Sequence, residues 1–403
     1  MHSRKINFKN KEGLVLEGNL DLPIDQKPLS YALFAHFFTG NKNFTAVRNI
    51  SKALTKNRIA VMRFDFTGLG NSEGNFEDSN FSTNVNDLIA AANFLKENYE
   101  SPKIIIGHSL GGAAGIFAAN EIESIQAIVT IGAPSSPSHV EHLFKDHIED
   151  IETDGEATFE ISGRPFTIKK QYLEDIGSKN MEGLLKKSRK PILVLHSPQD
   201  KIVAIENAKE IYNAAHHPKS FISLDGANHL LTNKEDSFYV GSVVSSWARR
   251  YVQFIQEPEL ETDKQTVVRI GRTKYSTEIA ARSHAIIADE PKKYGGNDAG
   301  LTPYELLLAS LGACTAMTLR MYADRKKWNL EEVLVHLEHF NQHAEDCVAC
   351  EDTPTKIDKF VRTIELKGDL TTEEKERLLE IANKCPVHRT LENKIEIDTF
   401  LRD

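Results

Sequence analysis

Three residues, Ser109, Asp200 and His229, are of the types that nucleophilic catalysis needs. The serine lies in GHSLGG (107–112), which follows the apolar run KIII and precedes the small-residue stretch AAGIFAAN. This strand–turn–helix setting is that of a nucleophile elbow, in which flanking glycines allow the serine to occupy a strained turn. A serine hydroxyl becomes nucleophilic when a histidine takes its proton, and a carboxylate must orient that histidine. We therefore predict a serine hydrolase with an acyl-serine intermediate at position 109.

Both partners of the serine are expected at the ends of later strands. Asp200 follows the apolar run PILVLHS, and His229 follows the strand-like FISLDG. Each residue also has a plainer interpretation: Ser109 as a turn serine, Asp200 as a helix N-cap, and His229 as a surface histidine. Asp225 is a competing carboxylate, four residues before the histidine. The geometry of the fold must distinguish these interpretations.

The elements that position these residues alternate between strands and helices from about residue 6 to residue 255. Short continuous apolar runs favour a parallel sheet that is buried on both faces. The repeated strand–helix order predicts an α/β domain with a doubly wound, mostly parallel sheet. The predicted strands are ALFAHFF (32–38), AVMRFDF (60–66), KIIIGHS (103–109), AIVTIGA (127–133) and PILVLHS (191–197).

A polar segment at about 135–189 interrupts this alternation. Within it, EATFEISGRPFTIKK (156–170) is typical of a hairpin closed by Ser162-Gly163. An insertion at this place lies over the carboxyl ends of the strands, where α/β sheets bind ligands. We therefore predict a short lid, which favours small or medium acyl esters as substrates.

On these motifs, residues 1–255 resemble the α/β-hydrolase family, in particular its esterase and serine-aminopeptidase-like members. In that family a His-Gly-type loop after an early strand helps to bind the oxyanion. AHFFTGN (35–41) matches this loop, with Phe37 where glycine is usual. The resemblance implies that the backbone N–H groups of Phe38 and Leu110 form the oxyanion hole.

Other residues of these motifs are expected to support the site without reacting. RFDFTGLGNSEG (63–74) resembles the family's strand-and-turn signature, in which Asp65 and Gly68 are structural. His36 and His108 are expected to pack near the site.

All four cysteines lie in the last quarter of the chain, beyond the charged stretch QEPELETDKQ (256–265), which we predict to be a linker. A disulfide scaffold would use more cysteines and spread them more widely, so this cluster indicates redox chemistry or metal binding. Residues 266–403 are predicted to form an α+β domain. Its predicted elements are strands at 266–271 and 274–288, a helix at 303–326, strands at 333–339 and 360–366, a helix at 372–384 and a last strand at 394–400.

Two of these cysteines have the setting of a redox pair. Cys314 lies in the long apolar helix near Gly312, and Cys385 follows the last predicted helix in CPVHRTL. One thiolate can attack an O–O bond and become a sulfenic acid, which condenses with the second thiol to a disulfide. The attacking thiolate needs a helix N-terminus or a nearby cation, so we hypothesise that Gly312 breaks the helix and Cys314 opens a new one. The alternative is a buried Cys314 that only packs.

The segments GGNDAGLTPYELLLASLGACTAMTL (295–319) and CPVHRTL resemble the OsmC/Ohr family of thiol-dependent peroxidases, over roughly residues 265–403. The resemblance implies an intertwined homodimer with two active sites at its interface, which reduces organic hydroperoxides. It also implies a chain in which a hydrolase is fused to an OsmC-like domain.

The accessory residues of that peroxidase site are less clear in this chain. Hydroperoxide-specialised members carry a glutamate directly after the proline of the helix, to orient an activating arginine. Here Tyr304 holds that place, and Glu305 is one residue later. Arg282 and Arg272 are the candidates for the arginine.

The segment HFNQHAEDCVACED (339–352) offers a possible metal site. His339, His343, Cys347 and Cys350 are the ligand types of a tetrahedral zinc site, but the motif is compact and acidic. A loop dithiol and an inert loop are the alternatives.

Charge and hydropathy exclude several classes of function. The net charge of −9 at pH 7 argues against nucleic-acid binding, which needs a basic surface. The polar N-terminus lacks a secretory signal, and no uninterrupted apolar run approaches the length of a membrane span. We expect a cytoplasmic enzyme without a cofactor, acting on acyl esters and organic hydroperoxides with a thiol reductant. The alternatives are a hydrolase with a non-catalytic binding or dimerisation module, and an acyltransferase or peptidase on the hydrolase fold.

Overall fold

The chain folds into two compact units, Met1–Glu259 (unit 1) and Leu260–Asp403 (unit 2). Unit 1 has a hydrophobic core on each face of a large sheet. Unit 2 has a much smaller buried cluster, around Leu319 and Leu378. The structure, a computed structural model, describes residues 2–24, 27–161, 163–255, 260–271, 275–342 and 357–402.

The strands of unit 1 include all five that the apolar runs predict. They are β1 (His2–Lys9), β2 (Val15–Leu22), β3 (Ser30–Ala35), β4 (Ile59–Phe64), β5 (Ile104–His108), β6 (Ala127–Ile131), β7 (Glu156–Ile161), β8 (Arg164–Lys169), β9 (Ile192–His196) and β10 (Lys219–Ser223). Eight of them form one sheet in the order β1-β2-β4-β3-β5-β6-β9-β10. The strands from β4 to β10 run parallel, and β1 and β2 form an antiparallel edge. The prediction of an α/β fold with a mostly parallel sheet is confirmed.

Helices cover both faces of this sheet. They are α1 (Thr45–Lys56), α2 (Phe81–Asn98), α3 (Leu110–Glu121), α4 (Ile148–Asp154), α5 (Lys170–Gly177), α6 (Met181–Lys187), α7 (Glu206–Ala214) and α8 (Lys234–Tyr251). One face is packed by α2 and α3 and the other by α1 and α8. Every residue of β3, β4, β5, β6 and β9 is buried, because a sheet covered on both faces leaves no strand face for solvent.

The predicted lid segment contains the hairpin that its sequence indicates. Strands β7 and β8 pair antiparallel, and we call them the lid hairpin. Gly163 in its turn has a φ of +74°, which explains the glycine; Ser162 lies outside the described residues. The segments on either side contain α4, α5, α6 and short 3₁₀ turns.

Unit 2 has the predicted α+β arrangement. Its elements are β11 (Val267–Ile270), β12 (Thr277–Ala281), β13 (His284–Ala288), α9 (Pro303–Lys326), β14 (Asn329–Gln342), β15 (Ile357–Asp369), α10 (Thr372–Ala382) and α11 (Pro386–Glu392). Strands β11 to β13 form one antiparallel sheet, and β14 pairs antiparallel with β15 in another. The α9 bounds agree with the prediction because Thr302 and Glu305 form a capping box at its start.

Three expectations for unit 2 are wrong in detail. The run 274–288 is two strands, separated by a turn in which Arg282 has a φ of +56°. Residues 394–400 alternate like a strand but form none, since no described edge pairs with them. Gly312 does not break α9, so Cys314 lies inside a continuous helix. The glycine instead allows close packing on β14, because a Cβ there would lie 2.7 Å from Leu337 Cδ1.

One helix among the described residues, α9, is long and apolar enough to cross a membrane. Length and composition alone support this, and packed helices of protein interiors meet the same criteria. Only 22% of its most apolar stretch is buried within this chain, so much of its apolar surface faces outward.

Candidate functional site

Ser109 lies in a sharp turn between β5 and α3. Its φ of +55° is a conformation that non-glycine residues rarely adopt. The turn depends on its glycines: a Cβ at Gly107 would lie 2.2 Å from the carbonyl oxygen of Gly111, and a Cβ at Gly111 would lie 2.3 Å from that of His36. The chain therefore has the backbone geometry of a nucleophile elbow.

His229 joins Ser109 to Asp200 through one hydrogen bond at each of its two ring nitrogens. Its Nε2 lies 3.0 Å from Ser109 Oγ, and its Nδ1 lies 2.7 Å from Asp200 Oδ2. The His229 side chain is 7% exposed and the Asp200 side chain 1%, so the pair is shielded from water. Three residues that are far apart in sequence thus form one hydrogen-bonded chain, as a nucleophile, its base and the base's orienting carboxylate must.

The surroundings of Asp200 keep it ionised. Burial opposes the charge, but the hydrogen bond from His229 and those from the N–H groups of Ile202 and Val203 outweigh it and hold the pKa of Asp200 below its usual value. Asp200 does accept backbone N–H groups, as a cap would, but α7 begins only at Glu206. The competing Asp225 is exposed and bonds to Ser223.

Two further histidines position this chain of residues. His108 Nε2 donates to the backbone carbonyl of His229 at 2.7 Å, and burial lowers the pKa of His108 to about 3. His196 Nε2 donates to the carbonyl of Val203 at 2.8 Å, and it lies 3.6 Å from Asp200 Oδ2. Burial also lowers the pKa of His196. Both rings are therefore neutral spacers that fix the loops carrying His229 and Asp200.

The loop after β3 approaches the elbow, as the candidate oxyanion loop should. It forms a tight turn in which Gly40 N donates to Phe37 O at 2.9 Å. Within the part of the chain that the structure describes, the N–H groups of Phe38 and Leu110 make no hydrogen bond. Phe37 stands where glycine is usual because its ring fills space against Phe44, with centroids 4.9 Å apart.

A buried ion pair anchors the end of the same loop. The Lys42 ammonium pairs with Asp65 and Glu17, and the Lys42 backbone N–H donates to Asp65 Oδ1 at 2.7 Å. Asp65 also accepts from the N–H of Asn71, which holds the signature turn. At Gly68 a Cβ would lie 2.3 Å from Phe76 N. Asp65 and Gly68 thus have structural contacts.

In unit 2, Cys385 lies against the side of α9. Cys385 is fully buried at the start of α11, where its Sγ accepts from the N–H of His388 at 3.3 Å. The same Sγ lies 3.7 Å from Thr315 Oγ1. Thr315 follows Cys314, about 100° further round the helix. Cys314 itself is partly exposed, and both thiols are free.

Arg362 on β15 completes this arrangement. Its Nη1 donates to Thr315 Oγ1 at 2.7 Å, and its Nη2 donates to Asn383 Oδ1 at 2.7 Å. The guanidinium therefore links the segment that carries Cys385 to the face of α9 next to Cys314.

Comparison with known families divides the chain in the same way as its structure. The family described as Serine aminopeptidase, S33, matches residues 40–149, and the family of OsmC-like proteins matches residues 295–400. The esterase domain of a Rhodothermus marinus protein is 48% identical; the match covers 62% of this chain and all of that domain, with a TM-score of 0.53. The chain belongs to the α/β-hydrolase family. Its last quarter is an OsmC-like domain.

More distant relatives share the fold of the hydrolase unit. Est1E from Butyrivibrio proteoclasticus, solved with ferulic acid bound, is 21% identical to this chain. The match covers 61% of this chain and 99% of the Est1E chain, with a TM-score of 0.51. The protein RP471 of Rickettsia prowazekii is 23% identical over 242 residues, which are 58% of this chain and 84% of that protein.

In the OsmC-like domain, two of the three candidate accessory residues lie within the described part of the chain. Glu305 accepts from the N–H of Thr302 in the capping box of α9. Arg282 is exposed at the tip of the β12–β13 hairpin, and Arg272 lies outside the described residues. Tyr304, in the place of the family's glutamate, stacks on His339 at 4.3 Å.

The possible zinc site cannot be described as a set. His343, Cys347 and Cys350 lie outside the described residues. His339 bonds to Asp358 at 2.7 Å and stacks on Phe360. Among the described residues, no group of three metal-binding side chains occurs.

Sequence reasoning missed His196, Lys42 and Arg362. His196 lies near the end of a predicted strand, where nothing distinguishes it from the other buried strand positions. Arg362 lies in another predicted strand, where an exposed arginine would be equally ordinary. Lys42 directly follows the oxyanion-type loop, which is the one signal that pointed to it.

Proposed function

We propose that unit 1 is a carboxylesterase-type serine hydrolase. The observation that carries this proposal is the position of His229, which contacts both the Ser109 hydroxyl and the Asp200 carboxylate. The comparison that supports it is the likeness to an esterase domain along that domain's whole length.

In the proposed mechanism, Ser109 Oγ attacks the ester carbonyl while His229 Nε2 takes the hydroxyl proton. Asp200 holds the imidazole in the tautomer that accepts at Nε2 and stabilises the cation that forms. The oxyanion is bound by the N–H groups of Phe38 and Leu110. His229 then gives its proton to the leaving alcohol, and a water molecule, activated in the same way, hydrolyses the acyl-serine.

The substrates that we propose are small or medium acyl esters. Aromatic rings pack beside the oxyanion loop: Phe38 lies 5.5 Å from Phe76 and 5.9 Å from Tyr172, between ring centroids. Such rings favour an apolar acyl group over a charged one. Acyl transfer and peptide cleavage use the same acyl-serine and are the competing activities.

The decisive experiment measures turnover of p-nitrophenyl esters, acyl thioesters and aminoacyl anilides by the wild type and by Ser109→Ala. Esters are expected to be the best substrates, and the substitution is expected to remove at least about 10³-fold of the rate. Equal rates in both proteins would disprove the serine mechanism, and a preference for anilides would identify a peptidase.

For the OsmC-like domain we propose thiol-dependent reduction of organic hydroperoxides. The Cys314 thiolate attacks the outer peroxide oxygen, which releases the alcohol and leaves Cys314 as a sulfenic acid. The Cys385 thiol condenses with it, giving a disulfide and water, and an external thiol reductant restores both thiols. The support is the contact of Cys385 with Thr315, next to Cys314. We also propose a cytoplasmic location, because the chain has four cysteines, all in its last quarter, which are too few for the disulfide scaffold of an oxidising compartment.

The competing role of this domain is dimerisation without redox turnover. We propose that the chain is a homodimer in either case, because apolar side chains of α9 and of the last residues are exposed: Met317 is 65%, Met321 72% and Ile397 83% exposed. Cumene hydroperoxide consumption by the wild type and Cys314→Ser separates the two roles. Retained consumption in the variant would leave only dimerisation, and Ser109→Ala is the matched control, expected to keep peroxidase activity.

A further inference from the structure

The candidate oxyanion loop contains a residue in an unfavourable backbone conformation. Thr39 is the third residue of the turn that Gly40 N closes onto Phe37 O, and its φ is +59°. Turns with a positive φ at this position usually carry glycine or asparagine there. A β-branched threonine is a rare occupant, so the surroundings must hold the turn in place.

This turn determines the direction of the Phe38 N–H. The C=O and N–H of one trans peptide point in opposite directions, so the orientation of Phe37 O fixes that of Phe38 N–H. Phe37 O accepts from Gly40 N and from His36 Nδ1, each at 2.9 Å. If the turn opened at Thr39, the bond from Gly40 would break and this peptide could rotate.

The lid hairpin reaches the same turn. Arg164, the first residue of β8, donates from Nη2 to the carbonyl oxygen of Thr39. Its guanidinium lies over the ring of Phe166, 5.4 Å from the centroid. Phe166 packs edge-on against Phe76 at 4.9 Å, and Phe76 packs against Phe38. One strand of the lid thus contacts the oxyanion loop through a charge-assisted hydrogen bond and a row of rings.

We propose that Arg164 is a positioning residue for the oxyanion hole: by holding Thr39 in its positive-φ conformation, it keeps the Phe38 N–H aimed at the site. The lid is then part of the catalytic apparatus as well as its cover. This inference rests on the proposed esterase function.

The test compares Arg164→Ala with Lys169→Ala on a p-nitrophenyl ester. Lys169 lies on the same strand and also ties the hairpin to the rest of unit 1, through an ion pair with the exposed Asp78, but among the described residues it makes no hydrogen bond or ion pair with the oxyanion loop. Because an oxyanion donor contributes about 10²–10³-fold to kcat, a misaligned one should cost about 10-fold or more. Arg164→Ala should lower kcat with KM nearly unchanged, guanidinium ion should restore part of kcat, and Lys169→Ala should resemble the wild type. An equal loss in both variants, or an effect on KM alone, would overturn the proposal.

Thr39→Gly gives an independent test, since glycine adopts a positive φ readily. In this background, Arg164→Ala should cost several-fold less in kcat than in the wild type; an equal cost in both backgrounds would contradict the proposed route through Thr39.

Hydrogen exchange of the peptide covering residues 36–42 gives a result that does not depend on activity. Exchange there should be faster in Arg164→Ala than in Lys169→Ala, and unchanged exchange would overturn the proposal. Failure of the esterase function itself is distinguishable, because it appears as a wild type without Ser109-dependent turnover.

Discussion

The two units differ in how far the chain encloses their candidate residues. In unit 1, the side chains of Ser109, His229 and Asp200 meet beyond the ends of strands whose sheet has a hydrophobic core on each face, and each loop that carries them is fixed by further buried contacts. In unit 2, Cys314 remains partly exposed on a helix with much outward apolar surface, while Cys385 is buried. Side chains at strand ends are held in place by the sheet to which those strands belong. Side chains on an exposed helix face are enclosed only when another surface packs against that face.

The most stringent test of this comparison is to remove the carboxylate that contacts His229 in unit 1. Asp200→Asn is expected to lower kcat on esters by about 10³–10⁴-fold, because an amide holds the imidazole in the wrong tautomer. Asp225→Asn is the matched control, since that carboxylate bonds to Ser223, and it should leave kcat within about twofold. If Asp225→Asn proved the more damaging variant, the assignment of the acid would be wrong.

A second comparison concerns two glycines: we expect that Gly107 does not tolerate replacement by alanine and that Gly312 does. Gly107→Ala places a Cβ 2.2 Å from backbone in the elbow, so we expect loss of esterase activity and a loss of unfolding free energy of about 2 kcal/mol or more in unit 1. Gly312→Ala meets only the end of the Leu337 side chain, and the gain of about 1 kcal/mol in helix propensity offsets the crowding.

Each unit contains one of the chain's two tryptophans, Trp247 and Trp328, so fluorescence-monitored unfolding of Trp247→Phe and Trp328→Phe backgrounds reports the units separately. A Gly312→Ala protein as damaged as Gly107→Ala would show that α9 is packed as tightly as the elbow.

Sequence patterns predicted unit 1 better than unit 2 for a physical reason. Strands buried on both faces are continuous apolar runs, and the elbow needs glycines at fixed spacing, so β5 and Ser109 are visible in the sequence. The pairing of Arg362 with Thr315 depends on how β15 lies across α9, which no local pattern contains. The alternation at 394–400 has the period of a strand, but the prediction is wrong, because a strand also needs an edge to pair with and none pairs with it among the described residues.

The outward face of α9 gives a prediction of intermediate size. Met317 and Met321 are one helical turn apart and both exposed. The double variant Met317→Lys/Met321→Lys should halve the mass measured by sedimentation equilibrium, because charges cannot be buried in an apolar interface without partners. Tyr239→Lys, at an exposed apolar position of unit 1, should not change the mass. A wild type that is already monomeric would refute the homodimer.

The smallest expected effect is a pH dependence confined to unit 1. Burial raises the pKa of Asp87 to about 6, although Thr67 and Asn10 donate to its carboxylate. The unfolded carboxyl titrates near 4, so the folded state holds this proton more tightly, and its stabilising effect is complete below pH 4 and lost as the pH rises through 6. In a Trp328→Phe background, the difference in unfolding free energy between wild type and Asp87→Asn should change by about 2 kcal/mol between pH 4 and pH 7, in favour of the asparagine at the higher pH. Asp87 lies in unit 1, so the unfolding transition of unit 2 should not respond to Asp87→Asn at any pH. If the difference in unfolding free energy between wild type and Asp87→Asn stayed constant from pH 4 to pH 7, water would have to reach Asp87. The interior of unit 1 would then differ less from that of unit 2 than the packing of the two units indicates.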